Sequence, residues 1–171
     1  MIQFMVIGPP RSGTAWAAVW LTTFTRMCVH DPLWDVHYLD FDKIAIPSRV
    51  VGIACTGLGF WPDWVNEHPA RKLILHRDPK EVDLACAREG LPAPPARLFA
   101  NLDKIRGLHM DWSALWSSPD PIHRHLFPRE PFDRDRHAML RAMKITAMWR
   151  MRVQDPAVLE RLKGGAFGTP D

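Results

Sequence analysis

The stretch Gly8 to Trp16, GPPRSGTAW, constrains this chain more than any other. It interrupts an apolar run, Ile2 to Ile7 (IQFMVI), that reads as a strand buried on both faces. Beyond it the chain restarts as an alanine- and tryptophan-rich helix, apolar almost all round, over Ala15 to Met27. A glycine loop between strand and helix directs several backbone N–H groups at one point, and the helix N-terminus adds partial positive charge there. Gly8 and Gly13 permit close backbone approach, Ser12 and Thr14 carry hydroxyls, and Arg11 adds a planar fork of donors. Together these suit a phosphate or sulfate. The same residues also serve a plain strand-to-helix turn with an exposed arginine.

Two further strands are legible, RVVGIAC (Arg49 to Cys55) and RKLILH (Arg71 to His76). Residues 30 to 43 read as strand or loop. Pro62 and Pro79 suit the first turns of helices, and Gly90 is a stop for the second. Leu98, Leu102, Ile105 and Leu108 recur at helical spacing. Residues 117 to 133, rich in proline and histidine, read as a surface loop or lid. Asp133 can cap a helix running to about Val153, and a short helix near Pro156 to Lys163 precedes the terminal glycines. Alternation in the first half and helices over 91–171 predict one α/β domain, residues 1–171, with a short parallel sheet. Ligands of such sheets sit beyond the C-terminal ends of the strands, where GPPRSGT and HRDP both fall.

Composition excludes some classes. Apolar residues make 47% of the 171 and charged residues 24%, so a soluble core is affordable without disulfides. A net charge of +3 suits an anionic ligand and is too small to argue by itself for nucleic acid, which is not the expected partner. Cys28, Cys55 and Cys86 lack zinc-type spacing, His123 and His125 lack a carboxylate at diagnostic spacing, and no metal is expected. No apolar stretch reaches the ~20 residues of a membrane span. With no signal-peptide pattern at its start, the chain is expected in the cytoplasm.

The spacing of Gly8 and Gly13 matches the GxxxxG half of a P-loop, but Thr14-Ala15 stands where Lys-Ser/Thr belongs. GPPRSGTAW more closely resembles the 5′-phosphosulfate loop of the sulfotransferases, PxxSGTTW, and LILHRDPKEV resembles their 3′-phosphate element, a strand followed by R-[DN]-P-x-[DE]-V. The likeness covers residues 2 to 88, about half the chain. It implies a three-layer, P-loop NTPase-like α/β sandwich that binds 3′-phosphoadenosine-5′-phosphosulfate (PAPS) or its product, the 3′,5′-bisphosphate (PAP). Gly8, Pro10, Arg11, Ser12, Gly13, Thr14 and Ala15 would form the 5′ loop, Trp16 would pack near the adenine, and Arg77 would pair with the 3′-phosphate. Arg11 would also contact the bridging oxygen of the leaving group. The partners implied are this nucleotide and a small-molecule or glycan acceptor carrying a hydroxyl or amine.

Several positions depart from the family pattern. Ala15 and Ala85 replace phosphate-binding hydroxyl residues, and the histidine that many members carry after the strand matching VVGIAC is absent from Ala54-Cys55-Thr56-Gly57. Some carbohydrate-directed relatives use a carboxylate base, so Asp31, Asp35 and His37 become the candidates for that role. RLKGGAFG (161–168) only faintly echoes the family's C-terminal element. The expectation is a sulfotransferase-like protein. Two alternatives stand beside it: a P-loop protein for another phosphorylated nucleotide, or a degenerate relative that binds a protein partner.

Overall fold

A computed structural model describes residues 1–143. The helix expected near 156–163, residues 144–153 of the one expected before it and the RLKGGAFG segment lie outside the described residues.

The chain begins with strand β1 (Phe4–Ile7), the loop, and helix α1 (Thr14–Leu21). Strand β2 (Arg26–His30) leads through two 3₁₀ turns, Pro32–Trp34 and Tyr38–Lys43, to β3 (Val50–Cys55). A 3₁₀ turn at Leu58–Phe60 and α2 (Pro62–Glu67) precede β4 (Arg71–His76). Then come α3 (Pro79–Arg88), α4 (Ala96–Leu102), β5 (Leu108–Asp111), α5 (Ala114–Ser117), α6 (Pro119–Leu126) and α7 (Arg134–Ala142). The five strands form one wholly parallel sheet in the order β2-β3-β1-β4-β5. This is an α/β architecture whose first strand lies at the centre.

Both faces of the sheet are covered, which is why β1 carries no polar residue. Successive strand side chains point to opposite faces. Phe4, Val6, Leu73 and Leu75 therefore meet α1, α6 and α7 on one side. Met5, Ile7, Ile53 and Ile74 meet Phe41, Leu58, Val65 and Leu102 on the other. Every residue of α1 except Ala15 is buried, as its apolar surround predicts. Gly52 is needed where β3 passes Phe4, because a Cβ there would sit 2.3 Å from the phenyl ring.

Several local expectations are corrected. The helix read as far as Met27 ends at Leu21, because the Thr22 hydroxyl bonds back to the Ala18 carbonyl and accepts from the Cys28 N–H. That turns the chain, and the buried residues that follow become β2. Leu108 opens a strand instead of extending a helix: Gly107 lets the backbone pass Lys72, whose carbonyl a Cβ would approach to 2.7 Å. Residues 117–133 are not a surface loop, since α6 buries Ile122, His123 and Leu126 and is followed by the buried Phe127.

Pro79 opens α3, Gly90 adopts φ 68° beyond its end, and Asp133 accepts from Arg136 N–H at the start of α7, all as read; that helix, expected to run to about Val153, ends at Ala142, where Met143 turns extended. Among the described residues no helix is long and apolar enough to cross a membrane.

Candidate functional site

The loop between β1 and α1 is a tight turn held by its own serine. Ser12 donates from both its N–H (3.3 Å) and its hydroxyl (2.7 Å) to the Pro9 carbonyl and is fully buried. The Ser12 hydroxyl thus shapes the loop from inside. Gly8 packs so closely that a Cβ would lie 2.5 Å from Ser12 Oγ. Gly13 takes φ 85° and Arg11 takes φ 64°, left-handed backbone that is easy for glycine and costly for arginine. An L-residue held there is the kind of strain that concentrates at functional loops.

The loop delivers the chain to α1 with its first turn open. An α-helix leaves its first N–H groups without intrahelical acceptors. No side chain caps them in α1, and no acidic residue lies in its first turn. Among the described residues nothing acidic compensates the positive end of the helix. Pro10 and Ala15 are partly exposed beside it. Trp16 is placed elsewhere than the resemblance implied: it is buried in the core against Trp20, Trp116 and His137, so its ring is not offered to a base.

Arg77 reaches the same loop from the end of β4. Its Nη1 donates to the Arg11 carbonyl, its Nε donates to Glu81 at 3.2 Å, and its guanidinium lies 4.1 Å from the centroid of the Trp112 ring. Trp112, just beyond β5, is fixed by its N–H on the His76 carbonyl. The ends of β1, β4 and β5 are thereby tied at one point. The Arg11 side chain turns to Glu89, just past α3, at 3.3 Å. Both arginines of the two sequence elements thus meet carboxylates presented by α3 and its end.

On the other side of the loop a polar chain joins three strand ends. Thr14 Oγ1 lies 3.3 Å from His30 Nε2, and that nitrogen lies 3.4 Å from Asp31 Oδ2. Asp31 Oδ1 accepts from the Thr56 N–H (2.6 Å) and hydroxyl (3.1 Å). Burial pushes the His30 pKa down, with Asp31 opposing the shift, so its neutral form is favoured. Burial, reinforced by Asp31, holds the Cys55 thiol well above its ordinary range, which makes it a poor nucleophile.

Of the candidate bases, Asp31 belongs to this chain of contacts. Asp35 supplies the N–H that closes the turn on Pro32, and His37 caps the next turn through Leu39 N–H and packs on Tyr38. Neither is bonded to the loop. His30, Thr56 and Trp112 were not singled out from sequence. His30 closes β2 and Trp112 follows β5, neither of which was legible as a strand, while Thr56 follows the legible β3 with no further signal of its own. A separate cleft of about 370 Å³, lined by Phe60, Trp61, Arg97 and Asn101, opens between the turn after β3 and α4. His123 is buried against Phe127 and Phe132, while His125 contacts the Lys72 carbonyl, so the HRH pair serves packing.

Comparison with protein-family models, with curated proteins and with solved structures returned no match.

Proposed function

We propose that this protein is sulfotransferase-like and binds PAPS or PAP between the Gly8–Thr14 loop and Arg77, in a P-loop-type α/β sandwich. The observation that carries the reading is the bond from the Arg77 guanidinium to the Arg11 carbonyl. It brings the two elements of the sequence resemblance to the tips of neighbouring parallel strands, on one mouth. A ligand with anionic groups at two ends fits two such corners better than a single phosphate does. The open first turn of α1 supports an anion at the loop end, and a fork-shaped guanidinium beside it supports a second.

In the transfer reaction, an acceptor O–H or N–H gives its proton to solvent water as its heteroatom bonds to sulfur. The S–O bond to the 5′-phosphate breaks, and its electron pair leaves on PAP. The loop amides and Arg11 stabilise the charge growing on that phosphate. Reaching it requires Arg11 to exchange Glu89 for the ligand, a small cost for an exposed pair.

Isothermal titration with PAP, ATP and GTP tests the assignment. Micromolar PAP binding that Arg77→Ala removes while the variant stays folded by circular dichroism supports it. Selective ATP or GTP binding would transfer the site to another nucleotide, and absence of all three would leave a protein-binding role.

A further inference from the structure

Thr14 stands at the N-terminus of α1 and is buried, only 4% exposed, so what fixes its hydroxyl matters. Its partner is His30 Nε2 at 3.3 Å. The same nitrogen faces Asp31 Oδ2 at 3.4 Å, and a carboxylate can only accept. A lone pair turned to that carboxylate would be repelled, so Nε2 carries the proton. Thr14 Oγ1 is then an acceptor toward His30, and its own proton is left to point away from it, into the loop. Asp31 is held in turn by two donors of Thr56. Its backbone, at φ 42°, is locked by the bond from its N–H to the Ala54 carbonyl (2.8 Å).

We propose that His30 is a positioning residue of the anion site: held by Asp31 and Thr56, it aims the Thr14 hydroxyl proton at an anionic oxygen bound in the Gly8–Thr14 loop. The assignment rests on the anion-binding reading above and specifies how three strand ends serve it. It also makes anion binding pH-dependent. The groups facing the ring are Asp31 from its own strand end, Thr14 from α1 and, through Asp31, Thr56 beyond β3. Asp31 is the charge that bears on it, and the nearby Cys55 thiol stays protonated. An anion at Thr14 favours protonation of His30, so by linkage affinity rises as pH falls toward the His30 pKa.

Isothermal titration with PAP and with inorganic pyrophosphate, on the full chain, tests this. His30→Ala is expected to weaken binding about tenfold, as for loss of a hydrogen bond to a charged group. His30→Gln, which keeps an N–H near the Nε2 position, should recover part of that and remove the share of the pH dependence between pH 5.5 and 7.5 that His30 adds to the ligand's own phosphate titration. Thr14→Val should weaken binding by a similar factor, and the Thr14→Val/His30→Ala double variant should bind no worse than Thr14→Val alone. Additive losses in the double variant, or unchanged binding in His30→Ala, would overturn the relay. If the wild type binds pyrophosphate but not PAP, the nucleotide assignment fails while the relay is still decided on pyrophosphate. Binding of neither removes both.

Discussion

Arg11 and Arg77 differ in how firmly they are held, and that difference sets what each can do. Arg77 is stacked on Trp112, bonded to the loop carbonyl and paired with Glu81, with its side chain only 16% exposed. It is a fixed wall of the mouth. Arg11 is 31% exposed and is paired with Glu89, itself 44% exposed. A pair of this kind contributes about 0–1 kcal/mol and yields to a better anion. Removing the competitor should therefore help the ligand. Glu89→Gln is expected to tighten PAP binding up to about fivefold with no loss of melting temperature. Weaker binding in that variant would mean that Glu89 holds Arg11 in the productive position instead of competing for it.

At the scale of elements, α1 is the member on which the site depends, and its two ends are treated oppositely. Its N-terminus is left open to the loop. Its C-terminus is closed by Arg136 of α7, which donates to the carbonyls of Val19 (3.2 Å), Trp20 and Thr22 (2.6 Å). Cations at a helix C-terminus satisfy orphan carbonyls and complement the helix dipole. Burial lowers the Arg136 pKa, but an arginine so placed stays charged. Arg136→Ala should cost about 1–3 kcal/mol, the range for buried acceptors left unpaired, read as a lower urea midpoint. An unchanged midpoint would show that water replaces the guanidinium at no cost. This link was not legible in the sequence, because Arg136 meets α1 more than a hundred residues away along the chain. Pro79, Gly90 and Asp133 were legible, since caps and stops act on their own turn. β2 was missed because the apolar helix was read on through Thr22, Thr23 and Thr25 to Met27, although those residues mark the break. Buried Arg26 obscured it further: its charge is offset by Glu130 and by the Phe127 ring 3.9 Å away, neither visible from its neighbours in sequence.

At the scale of the whole molecule, the histidines matter for stability in acid. Three of them, His30, His76 and His123, have pKa values lowered by burial, with further lowering by a neighbouring cation or imidazole for His76 and His123. Each sits at a different junction: His30 beside the loop, His76 facing His109 across β4 and β5 at 2.8 Å, and His123 under the α6 cover. In the unfolded chain each returns to an ordinary value of about 6.5. The unfolded state then takes up protons first as pH falls. Stability is complete above that value and declines as pH drops through the lowered folded values. The urea midpoint should therefore fall between pH 7.5 and pH 5.5, well before carboxylates begin to protonate. His123 provides the control, because it is buried in α6, away from the proposed anion site. His123→Leu removes one titrating group at similar volume, so its midpoint should change less between the two pH values than that of the wild type. An equal change would place the acid sensitivity at His30 and His76 alone. In that case, saturating anion should shift the pH dependence of unfolding, because protonation of His30 would then stabilise the liganded fold while destabilising the empty one.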